Sequence, residues 1–324
     1  MHWKPSSANR TVLFFLLAAL LGPREGVADY AYVTNQSSSD LSIIDLDRMT
    51  EIRRIPVPGM PAGVAVSQKL GAFFTVSPDS KTIRRFGLAD ANPQVERQLD
   101  GGPIGIAVDD RRRRIFVSDW YNARVWVLSA EDLSLTATLN TGSAPAGLAI
   151  SPDGRWLATA DRDSHQMSIF DADTLALRHR ITVGERPFGL AFAPDGRVFS
   201  ADVGSNTVTA VDPESGRVLG RVKTGERPYG IAFATDRGFV TNQYGDSVTV
   251  FDARTYAEVG VIDVGGYPEG IDTTADGARI AVANWDSNTL SIIDAKSLEV
   301  VGEIATGDGP RAFGLFLTTD MPKE

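Results

Sequence analysis

The nine residues GERPFGLAF, from Gly184 to Phe192, return almost unchanged as GERPYGIAF, from Gly225 to Phe233. A segment repeated at this distance is either a structural part of a repeated unit or a repeated binding element, and further copies along the chain favour the first. The Pro-x-Gly step inside both segments recurs along the chain at spacings of about 40 to 44 residues. The copies are Pro61/Gly63, Pro103/Gly105, Pro145/Gly147, Pro187/Gly189, Pro228/Gly230, Pro268/Gly270 and a looser seventh from Pro310 to Gly314 with two extra residues.

Each unit contains the same series of short apolar stretches separated by turn residues. After Pro-x-Gly comes an apolar stretch such as Leu190–Phe192, and then a turn such as APDG at 193–196. Pro, Asp and Gly set the geometry of such turns. An apolar strand ending in Asn or Asp follows, as in FVTN to Asn242, and then an alternating strand such as TVTAVD at 207–212 and a last strand such as EVVGEIATG at 299–307. Four short strands per unit with regular turn signals indicate an all-β repeat protein.

Seven four-stranded units predict an all-β fold, a seven-bladed β-propeller of four-stranded antiparallel blades. The chain enters this pattern at Tyr30, in the second strand of a unit, and leaves it after the first strand of a unit. We therefore expect the terminal blade to be closed by three N-terminal strands within Tyr30–Val57 and one C-terminal strand from about Arg311 to Thr319. Such closure hides the strand edges that a linear array would expose.

Several short motifs resemble those of a known family. YVTN at Tyr32–Asn35, its near copies FVTN and AVAN, and the Pro-x-Gly steps followed by Ile, Val or Leu resemble the YVTN family of seven-bladed propellers throughout residues 29–324. The resemblance implies a secreted, periplasmic or surface protein, and a similarity to accessory proteins encoded beside quinone-dependent periplasmic dehydrogenases. It implies no particular reaction, because a fold does not carry a function with it.

The N-terminal segment has the features of a secretory signal peptide. Lys4 and Arg10 precede the apolar run TVLFFLLAALLG at 11–22, and small residues stand at Gly26 and Ala28. A basic start, a short apolar core and a small-x-small site are typical of cleaved leaders. We expect residues 1–28 to be removed, leaving 29–324 as one propeller domain in the periplasm or outside the cell, without a membrane span.

Composition excludes several kinds of site. The 324 residues contain no cysteine and three histidines, so disulfides, covalent c-type haem and iron–sulfur clusters are excluded, and a His/Cys zinc site is not expected. No cofactor is predicted, and any metal would need oxygen ligands, as calcium does. The net charge of −9 opposes nucleic-acid binding, which depends on neutralising phosphates. We expect a monomer.

Most of the recurring polar residues have a structural interpretation. Because an Asn or Asp ends a strand in nearly every unit, we expect these side chains to bond backbone amides of the next loop rather than to form a metal ring. They are Asn35, Asp119, Asp161, Asp202, Asn242 and Asn284. We expect the turn residues Asp153, Asp195 and Asp276 to be structural and the run Arg111–Arg114 to be a solvated surface knob, with docking of an acidic partner as the alternative. His165 is not expected to be catalytic, because it has no triad geometry in sequence.

Arginines and aromatic residues are concentrated in loops that share one face of the predicted propeller. These are the loops before the first strands and those between the second and third strands, mainly in the later units. Trp, Tyr and Arg dominate binding hot spots, and loops on rigid scaffolds commonly carry function. The predicted binding residues are Arg186, Phe188, Arg227, Tyr229, Tyr267, Trp120, Tyr121, Arg162, Tyr244, Trp285 and Arg311. The alternative is that some of these aromatics pack between blades and the arginines pair with neighbouring carboxylates.

These features favour a binding or scaffold protein over an enzyme. Its Arg/aromatic face would meet a protein partner or a small anionic ligand, since arginine suits a carboxylate. The alternative is a propeller lyase or hydrolase with an oxygen-liganded calcium at the channel mouth. The scarcity of histidine and the lack of a non-repeated acidic cluster speak against that alternative, and no catalytic motif is present.

Overall fold

A computed structural model describes Met1 and residues 29–319; residues 2–28, which hold most of the predicted signal peptide, and 320–324 lie outside the described part. Seven four-stranded antiparallel sheets form a ring, which confirms the predicted seven-bladed propeller. The only helical element of the described residues is a single 3-10 turn, Arg162–Ser164. No helix in this part of the chain is long and apolar enough to cross a membrane.

In blades 2 to 7 the four strands follow one another in chain order from the channel axis outward, whereas in blade 1 the innermost strand comes from the C-terminal end of the chain. Blade 1 contains β1 (Tyr30–Asn35), β2 (Asp40–Asp45), β3 (Thr50–Pro56) and β28 (Leu317–Thr318); blade 2 contains β4 (Gly63–Ser67), β5 (Ala72–Ser77), β6 (Thr82–Gly87) and β7 (Pro93–Gln98); blade 3 contains β8 (Pro103–Asp109), β9 (Arg114–Asp119), β10 (Arg124–Ser129) and β11 (Leu135–Asn140); blade 4 contains β12 (Pro145–Ile150), β13 (Trp156–Asp161), β14 (Gln166–Asp171) and β15 (Leu177–Thr182). Blade 5 contains β16 (Pro187–Phe192), β17 (Val198–Asp202), β18 (Thr207–Asp212) and β19 (Arg217–Lys223); blade 6 contains β20 (Pro228–Ala234), β21 (Arg237–Asn242), β22 (Ser247–Asp252) and β23 (Glu258–Asp263); blade 7 contains β24 (Pro268–Thr273), β25 (Arg279–Asn284), β26 (Thr289–Asp294) and β27 (Glu299–Ala305).

Blade 1 closes the ring in the predicted way, with β28 paired to β1. The pairing is shorter than expected, because only Tyr30–Thr318 and Ala31–Leu317 are in register. The two extra residues between Pro310 and Gly314 interrupt the strand. Asp272 of the neighbouring blade compensates: its Oδ2 accepts the backbone N–H groups of Phe316 at 2.8 Å and Leu317 at 2.9 Å.

The recurring Thr-Asn of YVTN has a clear structural role. Thr34 Oγ1 donates to the carbonyl of Ala62 in the next blade at 2.8 Å, while Asn35 Nδ2 donates to Asp40 and Ser42 of its own blade. Ser118 repeats the first contact with the carbonyl of Ala146 at 2.7 Å. The motif therefore joins adjacent blades and fixes each loop that follows, and apolar clusters between the blades complete the core.

Candidate binding site at the top of the channel

The residues before and after the proline of each Pro-x-Gly step point their side chains in different directions. Both lie at one end of the propeller, which we call the top face. This face carries the loops that lead into the innermost strands and the loops between second and third strands. The residue before the proline has a left-handed backbone in Met60, Ala144, Arg186, Arg227 and Tyr267, with φ between 52° and 57°. This conformation is uncommon for residues other than glycine. Its recurrence makes this a regular position at which five of the seven blades display one variable side chain, while Gly102 and Gly309 occupy it in the other two.

The residue after the proline forms a ring around the central channel. Its members are Ala62, Ile104, Ala146, Phe188, Tyr229, Glu269 and Arg311. Neighbouring members touch: the rings of Phe188 and Tyr229 stack with centroids 4.1 Å apart, and Arg311 Nε lies 3.4 Å from Glu269 Oε2. The ring is therefore small and aliphatic on one side and aromatic, acidic and basic on the other.

An aromatic plug formed by Phe188, Tyr229 and Phe313 fills the channel at this level. Phe313 lies within the two-residue insertion of the seventh repeat, and its ring centroid is 5.3 Å from that of Phe188 and 5.6 Å from that of Tyr229. Phe188 and Tyr229 are 7% and 9% exposed. The expectation that these two side chains would be displayed on an open face is wrong. They pack inward because the position after the proline faces the axis.

Glu269 is the most perturbed acid at the top of the channel. It is 1% exposed, and Gln243 Nε2 donates to its Oε1 at 2.6 Å. Burial raises the pKa of Glu269 from 4.5 to about 7, although the nearby Arg311 guanidinium opposes the shift. Its Oε2 and the Oε1 of Gln243 are buried and accept no hydrogen bond from the described residues. Two acceptors are therefore left open beside the plug.

Three buried donors are also left open on the same side of the mouth. They are Arg227 Nε, Trp285 Nε1 and Arg311 Nε, none of which has a hydrogen-bond acceptor among the described residues. Arg311 is close enough to Glu269 for charge attraction, but the two groups form no hydrogen bond. An unsatisfied buried polar group costs about 1–3 kcal/mol, so such groups call for a partner.

A row of aromatic rings connects these donors across blades 6 and 7. The Arg227 guanidinium lies 4.3 Å from the centroid of the Tyr244 ring, and its Nη1 donates to the Tyr244 hydroxyl at 2.6 Å. Tyr267 continues the row, with its ring centroid 5.4 Å from Tyr244 and 5.9 Å from Trp285. We name Arg227, Gln243, Tyr244, Tyr267, Glu269, Trp285 and Arg311 the polar arc.

The other predicted residues lie on the opposite side of the mouth or at its edge. Trp120 flanks the plug, with its ring centroid 6.2 Å from Phe188, and Arg162 stacks over Trp120 while pairing with Asp163 at 2.6 Å. Arg186 is exposed, and Tyr121 is 74% exposed. The structure thus gathers most of the predicted set around one opening, and separates Arg186 and Tyr121 from the polar arc.

Sequence reasoning left Glu269, Gln243 and Phe313 out of the predicted site. The signal for Glu269 was present, because a glutamate stands where the other repeats have Ala, Ile, Phe, Tyr or Arg. Gln243 directly follows the strand-ending Asn242. Phe313 lies in the one irregular repeat, where the register against the others is lost.

The remaining polar residues behave as structural parts. Asp119 Oδ1 accepts the N–H of Tyr121 in the next loop at 3.2 Å, as predicted. The shorter bonds go to a different loop from the predicted one: Asp119 Oδ1 accepts the N–H of Gly102 at 2.8 Å, and Asp161 Oδ2 accepts that of Gly142 at 2.9 Å, both in loops that lead into the innermost strands. The turn residues Asp153, Asp195 and Asp276 accept amides within their own turns. His165 is exposed, and its Nδ1 accepts the N–H of Arg186.

The arginine run is a surface feature, but its side chains are engaged rather than only solvated. Arg112 pairs with Asp109 and Asp173, and Arg113 pairs with Glu131. Arg111 and Arg114 donate to backbone carbonyls of blade 4. The run therefore connects blades 3 and 4. The described residues hold no cluster of three or more His, Cys, Asp or Glu side chains placed to bind a metal.

Two family models match parts of the chain. One, described as the SMP-30/Gluconolactonase/LRE-like region, matches residues 116–243, and an NHL repeat model matches residues 101–128. Together with the seven blades they support a β-propeller repeat protein. The comparison with curated proteins found no significant match.

Solved structures show the same fold at low sequence identity. A functionally unknown protein from Desulfotomaculum acetoxidans has a TM-score of 0.76 and 17% identity, covering 90% of this chain and 99% of that one. Dihydro-heme d1 dehydrogenase NirN in complex with DHE has a TM-score of 0.68 and 17% identity, with coverages of 90% and 75%. Kuenenia stuttgartiensis hydrazine synthase has a TM-score of 0.69 and 17% identity, with coverages of 79% and 89%. At this identity the likeness concerns the fold alone.

Proposed function

We propose that the protein is a binding protein whose polar arc captures the anionic group of a ligand at the top of the channel. The observation that carries the proposal is the set of open donors at Arg227, Trp285 and Arg311. Oxygen atoms of a carboxylate would accept from them, and charge-assisted hydrogen bonds of this kind are about twice as strong as neutral ones. The stacked rings of Tyr244 and Tyr267 would cover the apolar part of the ligand.

The open acceptors restrict the chemical class of the ligand further. Glu269 Oε2 and Gln243 Oε1 would accept from a hydroxyl or amino group. The ligand that fits both sets is a hydroxy- or amino-carboxylate, presented either as a free small molecule or by a protein partner. Arg186, exposed beside the mouth, would add attraction for the anion.

The test is calorimetric titration of the protein spanning residues 29–324 with gluconate, citrate and the neutral control glucose. The double variant Arg186→Ala/Arg227→Ala should weaken anion binding at least tenfold, since charged hydrogen bonds contribute about 1.5–3 kcal/mol each. Its melting temperature should stay close to that of the unmodified protein, because Ala144 occupies the same backbone position naturally with φ of 52°.

Arg221→Ala is the matched control, since Arg221 is an exposed arginine on the outer strand of blade 5. This variant should bind like the unmodified protein. Equal affinity of the double variant, or equal loss in the control, would show that the polar arc does not bind the anion. If the small anions do not bind, a pull-down from a periplasmic extract with the same variants tests the protein-partner form of the proposal.

A second function is favoured by the buried carboxyl of Glu269 in the channel. With its pKa near neutrality it could serve as an acid or base, or, with Gln243, offer two oxygen ligands to calcium in a lyase or hydrolase. Metal analysis of the purified protein separates the two functions. One calcium per chain that is lost in Glu269→Gln would favour the enzyme.

We further propose that the protein acts in the periplasm or outside the cell. The basic and apolar pattern of residues 1–28 supports this location. The role as an accessory to a quinone-dependent dehydrogenase rests on the family resemblance. N-terminal sequencing of the exported protein should begin at Asp29, and a start at Met1 would contradict export by cleavage.

A further inference from the structure

The lower half of the channel is a cavity whose lining shares only Glu269 with the polar arc. Its volume is about 680 Å³, and its lining runs from the aromatic plug to the turns of the opposite, bottom face, such as those at Pro152 and Pro194. Because Phe188, Tyr229 and Phe313 close the upper end, a molecule would enter from the bottom face. Ligand pockets in proteins commonly have volumes of 300–1,000 Å³.

The cavity has a belt of side chains, one from each blade, of which all but Thr273 are apolar. In blades 2 to 7 the residue three positions after the glycine of the Pro-x-Gly step is half-buried. Leu315 of the closing segment is 68% exposed. The members of this apolar belt are Val66, Val108, Ile150, Phe192, Phe233, Thr273 and Leu315. Large apolar side chains left open to a concave surface mark binding sites more often than scattered surface residues do.

The acids along the wall of the cavity are engaged, whereas Lys69, in the bottom-face turn after β4, is an exposed charge at the rim. Asp109 is paired with Arg112, and Asp110 accepts from Ser67. Asp272 is bound to backbone amides of the closing segment, and Glu269 at the closed end is 1% exposed. An ion held among the belt side chains, away from Lys69 at the rim, would therefore lose its hydration without gaining a charged partner.

One uncharged polar group in the belt is open. Thr273 Oγ1 is buried and has no hydrogen-bond partner among the described residues. A ligand with one hydroxyl or carbonyl group could bond it. From the closed upper end, the apolar belt and this single open hydroxyl, we propose that the lower channel binds one neutral, largely apolar small molecule with a single hydrogen-bonding group. This proposal does not rest on the proposed function of the polar arc, although Glu269 lies at the boundary of the two sites.

The test uses the protein spanning residues 29–324 and the neutral fluorophore N-phenyl-1-naphthylamine, whose emission rises in apolar surroundings. We expect saturable binding of one dye per chain. The double variant Val66→Phe/Val108→Phe should weaken binding at least tenfold by filling the cavity. It should still fold, because the chain already has phenylalanine at this register in Phe192 and Phe233.

Two controls make the result specific. Val301→Phe enlarges an exposed valine on the outer strand β27, and Arg221→Ala removes an exposed arginine from the outer strand β19; both variants should bind the dye like the unmodified protein. Thr273→Val should weaken binding several-fold, because the dye carries one amine that can bond the hydroxyl. Non-saturable binding, no binding, or a filled variant that binds as well as the unmodified protein would overturn the proposal.

Discussion

Replacement of Glu269 by glutamine should stabilise the protein at alkaline pH, although it removes half of an ion pair. Glu269 lies 3.4 Å from Arg311 Nε, but burial prevails and raises its pKa from 4.5 to about 7. The unfolded chain therefore loses this proton first, and the folded state loses stability as pH rises from about 4.5 to 7. A pKa shift of this size lowers the free energy of unfolding by about 3 kcal/mol above pH 7.

Glutamine imitates the protonated carboxyl and does not ionise. The free energy of unfolding of Glu269→Gln relative to the unmodified protein should therefore rise by about 3 kcal/mol between pH 4 and pH 8.5. The measurement is urea unfolding of both proteins at the two pH values. Other titrating groups, such as Asp272, are common to both proteins and cancel in the difference.

Glu131→Gln is the control, because Glu131 pairs with Arg113 at 2.6 Å while both side chains are more than half exposed. Surface pairs contribute about 0–1 kcal/mol, so this variant should change little at either pH. A stability difference for Glu269→Gln that is the same at pH 4 and pH 8.5 would refute the reasoning. So would a Glu269→Gln protein that is less stable than the unmodified one at pH 8.5.

Three further predictions concern the frame that holds the site, each checked by urea unfolding. Gly189→Ala should cost about 1–3 kcal/mol or more, because its Cβ would lie 2.1 Å from the Tyr229 carbonyl oxygen. Gly260→Ala should be neutral or stabilising, since its Cβ meets no atom within 4 Å. Asp272→Ala should cost about 2–4 kcal/mol by leaving two buried amides of the closing strand unpaired; unchanged stability would contradict its role in closure.

The frame of the fold could be predicted from sequence because every blade repeats the same local signals. Each of three signals determines a turn or a contact to the next blade: the Pro-x-Gly step, the PDG-type turn and the strand-ending Asn or Asp. Because the pattern occurs in seven copies, the number of blades and the closing arrangement could be predicted. The length of β28 was not predictable. It depends on where the two extra residues before Gly314 are accommodated, and the structure uses Asp272 to hold that segment.

The candidate site could be predicted only in part. Residues that depart from the repeat, such as Arg227 and Tyr244, pointed to the correct face. The sequence did not show that the residue before the proline faces outward and the residue after it faces the channel axis. For this reason Arg186 is exposed, whereas Phe188 lies in the plug. Glu269 was overlooked as a site residue because its importance arises from burial and from its pairing with Arg311, both of which are tertiary properties.

The most direct test of the polar arc is a crystal structure of the protein with bound gluconate. We expect a carboxylate oxygen within hydrogen-bond distance of Arg227 Nε or Arg311 Nε, and a ligand hydroxyl within the same distance of Glu269 or Gln243. Density for water alone at these atoms, in crystals grown at a concentration that saturates binding in solution, would contradict anion capture by the polar arc.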